Sequence, residues 1–356
     1  MQQKSYRLLL RGRSALLVAP TGSGKTEAAV ISIFARVASM RDRKDAQGVR
    51  VLYITPLRAL NNDIFKRLIA YAQAEGLKAE IRHGDTSSYA RQKMLLSPPD
   101  VLITTPETLG ILLVSRKFKA HLASLECVVI DELHELLGNE RGSHLSVSLE
   151  RLQRISRHPE IMRVGLSATV GDPDEAGKFL SGEHSKCAVV TDNEARGYDV
   201  KVRYVGGNLA GLAQKILDYI AEENGRDKST LVFTNTRDEA EFLGAVLKAK
   251  SPSIPVEVHH GSLSKESRET TEGMLRSGDA GIVVCTSSLE LGLDIGAVNL
   301  VVQVGSSRQA TKLIQRVGRS RHKMRLRAVG AIITNRLDDE LESLALLERV
   351  EKHSLE

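Results

Sequence analysis

The chain contains no tryptophan, and aromatic residues of all kinds make up only 4% of it. A protein that holds single strands by stacking their bases needs a platform of rings. Any nucleic-acid grip here is therefore expected to run through phosphates. Cysteine is equally scarce. Cys127, Cys187 and Cys285 lie far apart and form no C-x-x-C pair, so neither a zinc nor a redox centre has support. Cys127 and Cys285 sit inside apolar runs and read as buried free thiols. No apolar run approaches the roughly 18 residues that cross a bilayer, and the N-terminus shows no basic-then-apolar leader pattern. Both absences lead to the expectation of a cytoplasmic protein. Low-complexity segments and short repeats are missing too.

What is present points to a globular protein, with 42% hydrophobic and 26% charged residues. At 356 residues the chain is too long for one ordinary core. Its net charge of +6 permits a nucleic-acid partner without requiring one. Basic residues crowd one late stretch: Arg316, Arg319, Arg321, His322, Lys323, Arg325 and Arg327.

The most informative stretch is Ala19-Pro20-Thr21-Gly22-Ser23-Gly24-Lys25-Thr26. It fits G-x-x-x-x-G-K-[ST] with Ala19 in the first position. Gly22 and Gly24 let the backbone curl so that successive N–H groups face a phosphate chain. In such a loop, Thr21, Gly22, Ser23 and Gly24 cradle the nucleotide, Lys25 reaches the β- and γ-phosphates, and the Thr26 hydroxyl holds Mg²⁺. The flanks agree. Ala15 to Ala19 reads as a buried strand, and Glu27 to Met40 as a helix whose N-terminus points at the phosphates.

Short apolar runs alternate with helix-length segments downstream: Val51 to Thr55, Val101 to Thr104, Cys127 to Ile130 and Val164 to Ser167. This is a βαβ series, hence a parallel sheet covered on both faces. A polar stretch from about Thr191 to Lys201 reads as the linker. The alternation then restarts at Thr230 to Phe233, Val256 to His259, Gly281 to Cys285, Leu300 to Val302 and Val329 to Thr334, without a second G-K-[ST]. The expected fold is α/β: one domain over residues 1–192, a second over 193–356 that ends in a short helix, and the nucleotide site in a cleft between them.

Asp131-Glu132-Leu133-His134 follows the strand at Cys127 directly. An acid at that strand end lies beside the P-loop, where Asp131 suits Mg²⁺ and Glu132 suits positioning or deprotonating water. The pair His134-Glu135 does not extend to the zinc motif H-E-x-x-H, because position 138 is Gly138.

With these pieces in order, the chain resembles a superfamily 2 helicase. Thr55 to Leu60 resembles motif Ia, Thr104 to Glu107 motif Ib, Asp131 to His134 motif II and Ser167-Ala168-Thr169 motif III. Val232 to Arg237 resembles motif IV, Thr286 to Ile295 motif V, and Gln315-Arg316-Val317-Gly318-Arg319 opens motif VI. Within the superfamily the chain is most similar to the large helicase-related (Lhr) group. The strings His134 to Gly138, Arg141 to Leu145, Gly165 to Pro173 and Thr286 to Ile295 carry that likeness.

The resemblance implies two tandem RecA-like domains, Mg-ATP hydrolysis and 3′-to-5′ movement on single-stranded DNA in repair or recombination. It implies adenine reading by Gln2, nucleotide contacts from Gly292, Asp294 and Arg319, and catalysis by Lys25, Asp131, Glu132, Gln315 and Arg319. Arg58, Asn61, Thr105, Thr234, Arg237 and Thr286 would hold the strand by its phosphates, at strand ends and helix starts. His134, Ser167 and Thr169 would couple the two sites. Motif VI departs from the common pattern, with Arg321 and His322 where Gly and Arg are usual. Lhr proteins continue into a winged helix and further domains. The chain is thus expected to be an excised, monomeric core that unwinds duplex poorly, with Leu355-Glu356 as a cloning scar. RNA or an RNA–DNA hybrid is the alternative track, and an ATP-gated clamp with little turnover is a second alternative.

Overall fold

The structure, a computed structural model, describes residues 1–20, 23–40, 48–56, 58–168, 170–182, 186–192, 197–224, 229–279, 281–290, 298–320 and 327–352; side chains at 58–65, 224 and 265 lie outside that description. The chain divides into two compact units, Met1–Asn193 and Glu194–Glu356.

In the first unit the strands are β1 (Ala15–Val18), β2 (Val51–Ile54), β3 (Ala79–Arg82), β4 (Val101–Thr104), β5 (Cys127–Ile130), β6 (Met162–Ser167) and β7 (Ala188–Thr191). They form one sheet in the order β3-β4-β2-β5-β6-β1-β7, with every pair parallel. The helices are α1 (Gln2–Leu10), α2 (Lys25–Ser39), α3 (Arg58–Ala74), α4 (Ser88–Leu96), α5 (Pro106–Val114), α6 (Arg116–Lys119), α7 (Glu140–Ile155) and α8 (Pro173–Ser181). Strands β2, β4, β5 and β6 are buried along their whole length. Continuous apolar runs are what a parallel sheet covered on both faces requires. Leu52, Leu102, Val128 and Ile130 pack with Leu109, Leu145 and Leu149 from the covering helices in one core cluster.

The second unit repeats the pattern. Its strands are β8 (Tyr198–Tyr204), β9 (Thr230–Phe233), β10 (Val256–His259), β11 (Ile282–Cys285), β12 (Leu300–Val304) and β13 (Ala328–Thr334). The order is β10-β11-β9-β12-β13-β8, again all parallel. Its helices are α9 (Leu209–Asn224), α10 (Arg237–Lys250), α11 (Lys265–Ser277), α12 (Ala310–Val317) and α13 (Leu337–Glu351).

One expectation is corrected here. Residues 198–201 are not linker but the first half of β8, which pairs with β13 from Tyr198 to Tyr204. As an edge strand, β8 is only partly buried, so its sequence alternates polar and apolar residues and shows no apolar run. Strand β3, also at a sheet edge, escaped the apolar-run reading for the same reason, whereas the other edge strand β7 is a short apolar run that ends the first sheet. Among the described residues, no helix is long and apolar enough to cross a membrane.

Candidate nucleotide and nucleic-acid sites

In the first unit the predicted catalytic residues meet at the carboxyl ends of the adjacent strands β1, β6 and β5. The backbone turns at Gly24, whose φ of 76° and ψ of 25° lie in the left-handed region that glycine enters without penalty. Gly24 supplies no side-chain cap to α2, so the first N–H groups of a 15-residue helix keep their donors for an anion. The Ser23 hydroxyl is buried and makes no hydrogen bond with the described residues. The Gln2 amide nitrogen lies 3.5 Å from where a Cβ on Gly24 would stand, so α1 brings Gln2 to this loop. Thr21 and Gly22 lie outside the described residues.

Lys25 is buried and donates to the carbonyl oxygens of Ala19 at 2.6 Å and Pro20 at 3.2 Å. Burial pulls its pKa down, against the carboxylates of Glu132 and Asp131. Asp131 is held from two sides. Its Oδ2 accepts from the Tyr53 hydroxyl at 2.7 Å, and its Oδ1 from the Glu132 N–H at 3.0 Å. Burial, then the neighbouring Glu132 charge, push Asp131 up to about 6. Thr26 lies near enough to the same Tyr53 phenol to oppose the rise of its pKa, which brings it close to Asp131.

Glu132 has φ 47° and ψ 48°, left-handed for a residue with a side chain, at a cost of about 1–3 kcal/mol. The strain turns its carboxyl into the site, where Oε2 is buried and receives no hydrogen bond from the described residues. His134 closes the group. Its Nδ1 lies 2.9 Å from the Ser167 hydroxyl at the end of β6, and its Nε2 3.8 Å from Glu132 Oε2. Burial, helped by the Lys25 ammonium, pushes His134 down to about 4, so the ring is neutral at pH 7. Thr169 lies outside the described residues.

A hard divalent cation suits these groups. A buried carboxylate, a neighbouring hydroxyl and a second carboxylate oxygen without a donor are oxygen ligands in want of positive charge. Among the described residues no cluster of three His, Cys, Asp or Glu could hold a metal alone. That fits an ion such as Mg²⁺, which keeps waters and shares phosphate oxygens.

The strand-binding candidates fall just past strand ends or on the helices that follow, and two of the hydroxyls have local duties. Thr105 caps α5, accepting from the Thr108 N–H at 3.3 Å. Thr234 is buried and donates to the Thr236 carbonyl at 3.0 Å. Thr286 stands before a 3₁₀ turn without capping it, and Arg237 opens α10 and is exposed. Arg58 and Asn61 fall on α3, where side chains are outside the description.

In the second unit Gln315 lies on α12, but Arg319 does not. The helix ends at Val317. Ser320 is drawn off by a bridge to Val298 and by its hydroxyl, which bonds the Val317 carbonyl and the Val329 N–H. Arg319 therefore sits in the turn, with Nε and Nη2 3.1 and 2.9 Å from the Glu290 carbonyl. Arg316 is fully engaged within its unit. It donates to Glu290 Oε2 at 3.0 Å, Gln303 Oε1 at 2.7 Å and Asn235 Oδ1 at 3.3 Å, and lies over the Phe233 ring. Gly292, Asp294, Arg321 and His322 lie outside the described residues.

Three residues gained a place here that sequence reasoning had not assigned. Tyr53, the one polar tip in β2, holds Asp131. Glu290, an acid between leucines, anchors both arginines. Arg141 donates to Glu107 at 2.6 Å and to the Pro56 carbonyl at 2.5 Å, tying together the segments that resemble motifs Ia and Ib. Gly142 beside it is obligatory, because a Cβ would stand 1.7 Å from the Leu136 carbonyl oxygen.

The comparisons with known proteins agree with this geometry. A DEAD/DEAH box helicase model matches residues 1–176, and a helicase conserved C-terminal domain model matches residues 211–323. ATP-dependent helicase Lhr-Core of Methanothermobacter thermautotrophicus is 38% identical over 95% of this chain and 42% of its own length. Lhr helicase/uracil glycosylase of Escherichia coli is 34% identical over 98% of this chain and 27% of its own. The solved structure of Mycobacterium smegmatis helicase Lhr bound to single-stranded DNA and AMP-PNP superposes with a TM-score of 0.83 at 34% identity, covering all of this chain and 48% of that one. The chain thus spans less than half the length of each of these three relatives. Motif order, the two parallel sheets and these likenesses lead to one assignment: the chain belongs to the Lhr family of superfamily 2 ATP-dependent helicases and comprises tandem RecA-like domains of its helicase core.

Proposed function

We propose that the chain is the motor core of an ATP-driven translocase or helicase that moves 3′-to-5′ on single-stranded DNA and serves repair or recombination. The observation that carries this reading is the buried run from Lys25 through Asp131, Glu132 and His134 to Ser167. It joins a phosphate-binding loop, a strained acid and a neutral relay histidine across three neighbouring strands.

In this reading Lys25 binds the β- and γ-phosphates, the α2 N-terminus receives the phosphate chain, and Gln2 faces the adenine. Thr26 and Asp131 would hold Mg²⁺, which when bound neutralises phosphate charge. Glu132 Oε2 accepts the proton of the attacking water as its oxygen bonds to the γ-phosphorus and the bond to ADP breaks. Gln315 and Arg319 act on the same phosphoryl group from the second domain. Arg319 stabilises transition-state charge and makes turnover conditional on domain closure. His134 and Ser167, with Thr169, pass the change at the acid to the strand-binding residues Arg58, Asn61, Thr105, Thr234, Arg237 and Thr286. A monomer in the cytoplasm suffices for this scheme.

ATP turnover measured without polymer, with single-stranded DNA and with single-stranded RNA, using Lys25→Ala as the blank, tests the reading. Stimulation by DNA that vanishes in the blank is expected. Stimulation by RNA alone would transfer the motor to the alternative track. Turnover that ignores both polymers would sink the motor reading.

A further inference from the structure

The second unit holds a cavity of about 470 Å³ that none of the assigned roles uses. It lies over the carboxyl ends of β9, β12 and β13, where Asn235, Gly305 and Asn335 leave the sheet. The chain runs from β9 outward to β10 and β11, then crosses back to β12 on the other side. The cavity thus stands at the point where strand order reverses, the place where open parallel sheets bind ligands.

Its described lining carries the cations Arg308, Lys312, Arg316 and Arg336 against the acids Glu239 and Asp339, so positive charge is in excess. Lys312 and Arg336 face it, and neither makes an ion pair or side-chain hydrogen bond among the described residues. Arg308 lines it as well, held by Asp339 at 3.0 Å and Glu342 at 2.5 Å. Arg308 has φ +66°, a left-handed backbone for a long side chain, which the fold maintains against strain of about 1–3 kcal/mol. At Gly305, φ +67°, a Cβ would stand 3.1 Å from Asp339 Oδ2 and fill the floor. The exposed Ser287, next to the strand-binding candidate Thr286, contributes the wall toward β11. Among the described residues no aromatic side chain lines the space, and the polar and charged lining suits phosphates rather than bases.

We propose that this cavity binds backbone phosphates of the single strand, with Lys312 and Arg336 as the two charges that meet them. The proposal rests on the motor reading and adds to it a phosphate site that reaches from Thr236 and Glu239, on either side of Arg237, to the ends of β12 and β13. Its footprint is electrostatic. Each phosphate contact made with a single strand contributes about 0.7 to the slope of log K against log salt.

The experiment is a salt titration of the chain's affinity for a single-stranded oligonucleotide, comparing the wild type with Lys312→Gln/Arg336→Gln and with each single change. Thermal melts of all four report folding. The expected result is a slope about 1.4 lower in the double variant and about 0.7 lower in each single variant, with matching Tm. Inorganic pyrophosphate is the second probe. A Tm rise with pyrophosphate that disappears in the double variant, while the salt slope stays at the wild-type value, would assign the cavity to small phosphates and overturn the strand proposal. An unchanged slope with tight binding in every variant would also overturn it and leave the motor reading standing. A wild-type chain that binds no oligonucleotide at any salt would remove both.

Discussion

The two units bury their charges in opposite ways. At the strand ends of the first, two carboxylates and one ammonium are packed together, one carboxylate oxygen receives no donor, and its residue sits in a strained backbone. In the second, Arg316 is met by an acid, two side-chain oxygens and a ring. The first arrangement stores tension that a cation and a phosphate would relieve. In the second the charges are met, and the turn carrying Arg319 is held by hydrogen bonds within its own unit. In the proposed reaction the acid acts on water and keeps an open oxygen, while the arginine would act from a rigid mount.

The largest test of that contrast concerns Arg319. Arg319→Ala is expected to lower ATP turnover by about 10³–10⁵ while binding of a non-hydrolysable analogue changes far less. Equal losses in both would mean that Arg319 only binds nucleotide or supports the fold. Glu132→Gln comes next, with turnover down by about 10²–10⁴ and Tm unchanged or higher, because the change removes a buried charge that has no donor. A fall in Tm would show that the open oxygen is satisfied in solution. Glu290→Gln should behave in the opposite sense. It strips the acid from a buried ion pair, with both side chains at most 5% exposed, and is expected to cost about 3–5 kcal/mol in urea unfolding. If Glu132→Gln and Glu290→Gln destabilise alike, the contrast between the units is broken.

How far each region was legible in the sequence follows from the same physics. Central strands such as Cys127–Ile130 and Thr230–Phe233 are buried on both faces, so their composition announces them. The edge strand Tyr198–Tyr204 is not, because one face stays in water and the pattern alternates. The acids, the P-loop lysine and His134 could be read because their chemistry dictates type and spacing within a short window. Tyr53, Glu290 and Arg141 could not, since each acts on a partner far away in the chain: Tyr53 on Asp131, Glu290 on Arg316, Arg141 on Pro56. Nothing local marks such residues. The end of the helix before Arg319 could not be read either, because the Ser320 bridge that ends it is a tertiary event.

The smallest expected effect sharpens the contrast most, because it isolates one member of the tense cluster. In the unfolded chain His134 takes up a proton near its ordinary 6.5, but in the folded protein only near 4. Acidification from pH 6.5 toward 4 therefore favours the unfolded state through His134. Asp131 works in the other direction. It binds its proton near 3.8 when unfolded and near 6 when folded, so the same acidification favours the folded state. In the wild type the two contributions largely offset one another. His134→Gln removes the first and leaves the second. Between pH 7 and pH 4.5 the variant should therefore gain about 2–3 kcal/mol of stability relative to the wild type, read by urea unfolding at both values without added metal. Parallel pH dependences for the two proteins would mean that His134 is hydrated and ordinary. The hydrogen bond from motif II to Ser167 would then lose the neutral, buried ring on which its coupling role depends.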